Sequence, residues 1–287
     1  MKFDIRTEKL KFAKALKTFA SSLEHHISSD GQWTIKGFID IFRNVYAISN
    51  DTKLVSKVLE LHIFPYLNAF ADNIGYKLEL AECQNWYPDF TFILKDSPDI
   101  KFAVDLKTTY RSERDPLLCN GFTLGSHGEY FINRQSTKNV QYPYGSYAGH
   151  YCLGIIYSRA IVAKISELRQ YSIDELNDIP SSLSQFIFFA DEKWKIASDK
   201  GGSGNTANIG SIHCIEDILN GNGVFAKAGE DIFDEYWMNY NRIQVQKKDG
   251  SYKKLTSLPE YLSFRGLPPD LYNPRKRSGR GQDDERL

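Results

Sequence analysis

Two N-terminal segments carry apolar residues at the spacing of an α-helix. Between Lys9 and Leu23, apolar positions 16, 19, 20 and 23 lie on one helical face. A second helix is predicted from an N-cap at Asn50 or Asp51, and Pro65 is expected to close it unless the proline sits in a kink. Glu60 lies on this second helix, where a single acidic residue is ordinarily just solvated.

Farther along the chain, the pattern changes from helical to strand-like. The segments YKLEL, WYPDFTFIL and IKFAVDLKTTY combine alternation with β-branched and aromatic residues. Their simplest interpretation is a β-meander. The later segment YPYGSYAGHYCLGIIYSRAIVAKI fits either a buried helix or strands.

A turn over positions 95–99 sets the register of the second and third meander strands. Antiparallel pairing about Ser97 places Asp89 opposite Asp105. Because side chains alternate along a strand, Asp105 and Lys107 then share one face, and Val104 points to the other. Three charged groups are therefore expected to converge on one patch.

If this carboxylate pair had only a structural role, it would be unfavourable, because like charges directly opposite each other destabilise a sheet by up to about 1 kcal/mol. A divalent cation would turn the repulsion into attraction, and Mg²⁺ commonly takes one or two protein carboxylates together with phosphate oxygens. The expected chemistry is phosphodiester hydrolysis, in which Lys107 orients the nucleophile or stabilises the transition state. The short pattern P-D…D-x-K also occurs by chance, and the alternative is a solvated strand face.

A second informative segment, residues 201–211, contains no charged side chain. Positions 202–207 satisfy the dinucleotide pattern G-x-G-x-x-A, but the helix that this fingerprint requires is interrupted by Asn-Ile-Gly. Asn205, Thr206 and Asn208 suit the edges of DNA bases, and the glycines allow close approach of the backbone. The alternatives are a base-reading loop and an ordinary surface loop.

Composition excludes few functions. The 287 residues carry 36 basic and 36 acidic side chains, so any polyanion site must come from local clustering. The absence of a long apolar run argues against a membrane protein, and the four scattered cysteines indicate a reducing, cytoplasmic environment. We expect one domain over residues 1–270 and a polar, flexible tail over 271–287.

Six segments give the chain a resemblance to a known family. They are, in order, NDTKLVSKVLEL, QNWYPDFT, VDLKTTY, FTLG, TKNVQYP and GSGNTANIGSIH. In this order and spacing they resemble the EcoRV family of type II restriction endonucleases. The resemblance implies an α+β, PD-(D/E)xK restriction-endonuclease-like fold, in which helices flank a mixed central β-sheet.

The resemblance also implies roles for individual residues. Asp89, Asp105 and Glu60 correspond to acidic residues of the metal site, and Lys107 to the catalytic lysine. DNA contacts are implied in a major-groove loop, a minor-groove loop and one further lysine: Gly202, Ser203, Gly204, Asn205, Thr206, Ala207, Asn208, Gln84, Asn85 and Lys138.

The implied function is Mg²⁺-dependent cutting of double-stranded DNA by a homodimer. The family's target is GATATC, cut at its centre to leave blunt ends with 5'-phosphates, and a cognate DNA methyltransferase is the expected partner. Ala207 replaces a threonine of the family and Trp86 a histidine, so the exact site stays open. The alternatives are a DNA repair nuclease with the same Asp-Asp-Lys site and a sequence-specific DNA-binding protein that does not cut.

Overall fold

The computed structural model describes residues 4–83, 85–160, 168–202, 207–246 and 250–274. The helices are α1 (Ile5–Ser22), α2 (Glu24–Ile27), α3 (Thr52–Asn73), α4 (Glu129–Ile132), α5 (Lys193–Ile196), α6 (Ile215–Leu219), α7 (Glu230–Asn239) and α8 (Leu258–Phe264). Short 3₁₀ turns lie at Tyr144–Ser146, Ile173–Asp178 and Pro269–Leu271.

The strands range from two residues to eleven. They are β1 (Ser28–Ser29), β2 (Gln32–Trp33), β3 (Gly37–Ile39), β4 (Asn44–Ala47), β5 (Tyr76–Leu80), β6 (Phe90–Leu94), β7 (Lys101–Tyr110), β8 (Thr123–Ser126), β9 (Gly149–Arg159), β10 (Gln170–Ser172), β11 (Leu183–Glu192), β12 (Ala197–Gly201), β13 (Asn208–Ser211), β14 (Gln244–Gln246) and β15 (Tyr252–Lys254).

A mixed sheet forms the centre of the protein. In the described part of the chain its seven strands have the order β1-β2-β11-β9-β7-β6-β5. β7 and β9 are parallel, whereas β5, β6 and β7 pair antiparallel with one another. One hydrophobic core packs α1 and α3 on one face, and a second core packs α7 and α8 on the other. The predicted α+β fold with a mixed, helix-flanked sheet is confirmed.

The β-meander and its register are also confirmed. Phe90 pairs with Val104 and Phe92 with Phe102, so the hairpin is symmetric about Ser97. Val104 points into the first core, whereas Ala103 points into the second. Alternation on β7 therefore places the charged groups on the face of the second core and leaves the face of the first core apolar.

Helix α3 begins where the sequence predicts but does not end there. The Asp51 side chain accepts hydrogen bonds from the N–H groups of Lys53 and Leu54, which caps the helix. The expectation that Pro65 closes the helix is wrong, because α3 continues to Asn73. Pro65 lies on the exposed side, while buried residues before and after it stay packed on the sheet. Tertiary packing outweighs the hydrogen bond that the proline removes.

The segment that sequence periodicity left undecided forms β9, a strand that is buried along most of its length. It pairs in parallel with β7 and antiparallel with β11, so it is central in the sheet. Both sheet faces at β9 are covered, which explains why its sequence lacks the alternation of a half-exposed strand. Residues 161–165 of that segment lie outside the described residues.

The predicted tail contains some residues that the structure describes. Leu271 and Tyr272 pack against the second core, and the Asn273 N–H donates to the Val224 carbonyl at 3.1 Å. The division into a domain over 1–270 and a tail over 271–287 stays a prediction. None of the helices in the described ranges is long and apolar enough to cross a membrane.

Candidate active site

Asp89 and Asp105 meet directly beyond Phe90 and Val104, the last paired residues of β6 and β7. The Asp89 N–H donates to Asp105 Oδ1 at 3.2 Å, and the Leu106 N–H donates to Asp89 Oδ2 at 2.9 Å. Each carboxylate is thus held by a backbone group of the neighbouring strand. The hairpin register predicted from the sequence brings these two side chains together.

Lys107 completes the cluster. Its Nζ lies 3.4 Å from Asp89 Oδ2 and 3.4 Å from Asp105 Oδ2. The Asp89 side chain is 31% exposed, whereas that of Asp105 is only 4% exposed. One carboxylate therefore faces solvent and the other is enclosed, with a single ammonium group shared between them.

The two carboxyls differ in pKa because their surroundings differ. Burial raises the pKa of Asp89, and the negative charges of Asp105 and Glu60 add to the rise, against the opposing effect of Lys107. Burial also raises the pKa of Asp105, but Lys107 and a second lysine, Lys193, outweigh it and the net shift is downward. Asp89 is the carboxyl whose negative charge is poorly compensated.

Lys107 is firmly protonated. Burial lowers its pKa, but Asp105 and Asp89 outweigh burial and the pKa lies above its usual value. A charged ammonium group is therefore available beside both carboxylates at neutral pH. It can neutralise a developing negative charge or orient a water molecule by hydrogen bonding.

A cleft of about 790 Å³ opens beside the cluster. Asp89, Lys107, Glu60 and Asn85 all line it, so four of the sequence-predicted residues share one cavity. Glu60 forms an ion pair with Lys57, whose Nζ lies 2.8 Å from Glu60 Oε1. Such a partly exposed pair is weak, and it leaves Glu60 free to exchange partners.

A two-carboxylate donor set fits a hard divalent cation. In the ranges that the structure covers, no group of three or more His, Cys, Asp or Glu side chains is arranged to hold a metal. Of the predicted ligands, Asp89 and Asp105 lie together, which leaves positions for water and for substrate oxygens, as Mg²⁺ prefers. Glu60 lines the same cleft and stays a predicted third ligand. The Asp89 carboxylate, which is buried beside Asp105 and only partly offset by Lys107, favours such a cation.

The uncharged loop is carried by a β-hairpin. β12 and β13 pair antiparallel on either side of it, and the Gly202 N–H donates to the Asn208 carbonyl at 2.8 Å. β13 also pairs with β8, whose first residue, Thr123, lines the cleft. The hairpin geometry agrees with the rejection of a dinucleotide fold, because no helix begins at Ala207. The loop residues Ser203, Gly204, Asn205 and Thr206 lie outside the described residues.

The remaining predicted DNA contacts are only partly brought to the cleft. Asn85 is exposed and lines it, whereas Gln84 lies outside the described residues. Lys138 is exposed, does not line the cleft, and precedes a short segment that pairs with Tyr87. Lys138 is therefore placed beside the chain that leads to the carboxylates and outside the cavity itself.

Sequence reasoning missed one charged residue at this site. Lys193, at the first position of α5, is 3% exposed, and its Nζ lies 3.7 Å from Asp105 Oδ2. Burial lowers its pKa to about 8, and Lys107 acts in the same direction while Asp105 opposes. In the sequence Lys193 sits in a polar turn, DEKWK, which gives no sign that it is enclosed.

Comparisons with known proteins agree with this geometry. The family model described as "Restriction endonuclease EcoRV" matches residues 29–266. The "Type II restriction enzyme EcoRV" of Escherichia coli is 38% identical over 246 residues, which cover 85% of this chain and 94% of that protein. The range that matches the family model contains both carboxylates, the cleft and the hairpin.

Proposed function

Because this chain belongs to the EcoRV family of restriction endonucleases, we propose that it cuts both strands of GATATC at the centre and leaves blunt ends with 5'-phosphates. Family membership makes it a type II restriction enzyme, a phosphodiester hydrolase. The observation that carries the proposal is the paired Asp89 and Asp105 with Lys107 beside a cleft. The loop sequence GSGNTANIGSIH supports the choice of target.

Asp89 and Asp105 are the residues that would hold Mg²⁺. When bound, this ion would lower the pKa of a coordinated water and neutralise charge on the phosphate. Lys107 orients the attacking water or stabilises the negative charge that develops in the transition state. Leu106 and Asp89 contribute backbone N–H groups that keep the two carboxylates in place.

The wall of the cleft that α3 contributes suits a nucleic-acid backbone. Thr52, Lys53, Ser56 and Lys57 line the cavity with hydroxyl and ammonium groups. Such groups bind phosphate oxygens without reading sequence, and they position the duplex over the reacting centre. Binding is therefore expected to weaken as salt increases, even though the chain as a whole has no net charge.

We further propose that two copies of the chain form a C2 dimer through the β3–β4 hairpin. This hairpin exposes an apolar surface, in which Ile41 is 90% and Phe42 is 76% exposed. In the described part of the chain, β3 is also an edge strand of its three-stranded sheet. An exposed apolar edge of this kind favours association, and a two-fold dimer matches the symmetry of a palindromic site.

Asn205→Ala tests whether the loop between β12 and β13 reads DNA bases. The change is expected to reduce discrimination between GATATC and a duplex with one altered base pair by about 1–3 kcal/mol, the contribution of one good bidentate base contact. The measurement is the ratio of kcat/KM on the two duplexes. Asn68→Ala, on the exposed side of α3, is the matched control. An unchanged ratio in Asn205→Ala would reject direct readout by this residue.

The proposed function is tested on two plasmids that differ only in the presence of one GATATC. Incubation with Mg²⁺ is expected to convert the first plasmid into one linear product and to leave the second intact. EDTA is expected to stop the reaction. Cutting of both plasmids would favour a repair-type nuclease, and binding without cutting would favour a non-cleaving DNA-binding protein.

The cellular setting that we propose follows from the same reaction. The enzyme would act in the cytoplasm, where the host DNA is also exposed to it. A DNA methyltransferase that modifies the same sequence would then protect the host. Its existence is tested by whether DNA extracted from the source cells resists the purified enzyme while amplified, unmodified DNA of the same sequence is cut.

A further inference from the structure

Lys193 is a second lysine at the carboxylate pair, and it is enclosed more completely than Lys107. Its side chain is 4% exposed, against 24% for Lys107. Its Nζ lies 3.7 Å from Asp105 Oδ2 and 3.9 Å from the centre of the Tyr87 ring. The ammonium group is thus held between the Asp105 carboxylate and the face of the Tyr87 ring, and the centre of the Tyr144 ring lies 6.0 Å away.

The space for this ammonium group is left by a glycine. Gly125 on β8 has a φ of +101°, and a Cβ built there would lie 3.1 Å from Lys193 Nζ and 3.9 Å from Asp105 Oδ2. Any larger residue would therefore press on the ion pair and would also adopt an unfavourable backbone conformation. The position of Lys193 is consequently defined by three elements, namely α5, β7 and β8.

The chain also fixes the backbone just before Lys193. Lys17 of α1 forms an ion pair with Asp191 at 2.7 Å, and Lys9 forms one with Glu192 at 2.9 Å. Both contacts tie the end of β11 to α1. Lys193 therefore directly follows a strand end that ion pairs connect to α1, and this limits the positions that its side chain can reach.

The charges at the site balance when Lys193 is included. Asp89 and Asp105 contribute two negative charges, and Lys107 and Lys193 contribute two positive charges. A buried carboxylate without a partner is strongly unfavourable. Lys193 therefore adds a second positive charge at Asp105 Oδ2, the oxygen that Lys107 also contacts. Lys107 lines the cleft and Lys193 does not.

We infer that Lys193 is a positioning residue that fixes the Asp105 carboxylate and offsets its charge, and so competes electrostatically with the divalent cation that the site binds. The inference rests on the proposed function, because it assumes that the carboxylate pair holds a cation. Lys193 acts through Asp105 and does not touch substrate. Its removal is expected to have opposite effects on cation affinity and on cleavage.

Lys193→Met tests the inference, since methionine fills similar space without a charge. In DNA-free protein, Ca²⁺ is expected to bind roughly tenfold more tightly, because a positive charge near the cation has been removed. Without Ca²⁺ the variant is expected to unfold at a lower temperature, and Ca²⁺ is expected to restore most of the loss. Single-turnover cleavage with Mg²⁺ is expected to slow about tenfold or more, because Asp105 is less well oriented.

Lys195→Met is the matched control. Lys195 lies on the same short helix, but it pairs with Glu192 at 2.7 Å and with Asp191 at 3.6 Å, away from the carboxylate pair. Its replacement is expected to change stability without changing Ca²⁺ affinity. Lys193→Gln provides a second neutral variant, and it is expected to show the same increase in Ca²⁺ affinity as Lys193→Met.

The outcomes separate this inference from the proposed function. If the wild-type protein neither binds Ca²⁺ nor cuts GATATC, the proposed function fails. If the wild type does both and the Lys193 variants bind Ca²⁺ no more tightly than it does, only the role of Lys193 is refuted. Variants that stay unfolded at saturating Ca²⁺ would also refute it, because a role through charge predicts recovery by the cation.

Discussion

Asp89→Asn is expected to abolish cleavage of GATATC while leaving the folded protein at least as stable as the wild type. The amide cannot supply the negative charge that holds a divalent cation. Because such a cation stabilises the transition state by several kcal/mol, the loss should reach roughly 10³-fold or more in single-turnover rate. The free energy of unfolding should not fall, because burial disfavours the ionised carboxylate of Asp89.

Folding raises the pKa of Asp89, chiefly through burial. A carboxyl whose pKa is raised in the folded state binds protons more readily there than in the unfolded chain, so its ionised form destabilises the fold above that pKa. Asparagine removes this unfavourable charge, and its Oδ1 can still accept the Leu106 N–H. Lys107 keeps Asp105 as a partner.

The single-turnover cleavage rate and the unfolding temperature of Asp89→Asn are measured together, with Asp96→Asn as the control. Asp96 is exposed in the turn of the same hairpin, so its replacement should change neither quantity. Turnover within tenfold of the wild type would remove Asp89 from the metal site. A large drop in the unfolding temperature would show that the carboxylate is structural.

The double variant Ile41→Glu with Phe42→Glu is expected to convert the proposed dimer into a monomer and to abolish double-strand cutting. Both side chains are largely exposed in the single chain. Burying them at an interface would contribute roughly 3–6 kcal/mol per subunit. Four glutamates near a two-fold axis would replace that gain with repulsion, so the dimer should dissociate at micromolar concentration.

Mass is measured by light scattering, and strand cutting is followed on supercoiled plasmid. The monomer should at most nick one strand, because each subunit supplies one carboxylate pair. Leu10→Glu is the control, since Leu10 is also a largely exposed apolar residue but lies on α1. A double variant that remains dimeric, or a wild type that is already monomeric, would exclude the β3–β4 hairpin as the dimer interface.

The carboxylate pair was accessible to sequence reasoning because its geometry is local. The turn centred on Ser97 and the two-residue alternation of strands determine which residues face each other, and both signals lie within twenty-five residues of chain. Asp89 and Asp105 meet as predicted for that reason. The helix N-cap at Asp51 was accessible on the same basis, since capping depends on adjacent backbone groups.

Features that depend on distant parts of the chain were not accessible. Lys193 reaches Asp105 only because β11, β9 and β7 are successive neighbours in the sheet, and no short-range pattern encodes that order. The continuation of α3 beyond Pro65 likewise depends on packing against the sheet rather than on local propensity.

The ion pair of Glu60 with Lys57 is, in contrast, a local feature that helical spacing can predict, because residues three apart share a helix face.

We propose that the Asp89–Asp105 pair and the β12–β13 hairpin together form a Mg²⁺-dependent nuclease specific for one palindrome. The most direct measurement digests unmethylated DNA of known sequence to completion and reads the terminal bases of every fragment. All ends are expected to be blunt, to carry 5'-phosphates and to fall at the centre of GATATC, and EDTA is expected to abolish them. Ends at other sequences, staggered ends, or equal cutting in EDTA would contradict it.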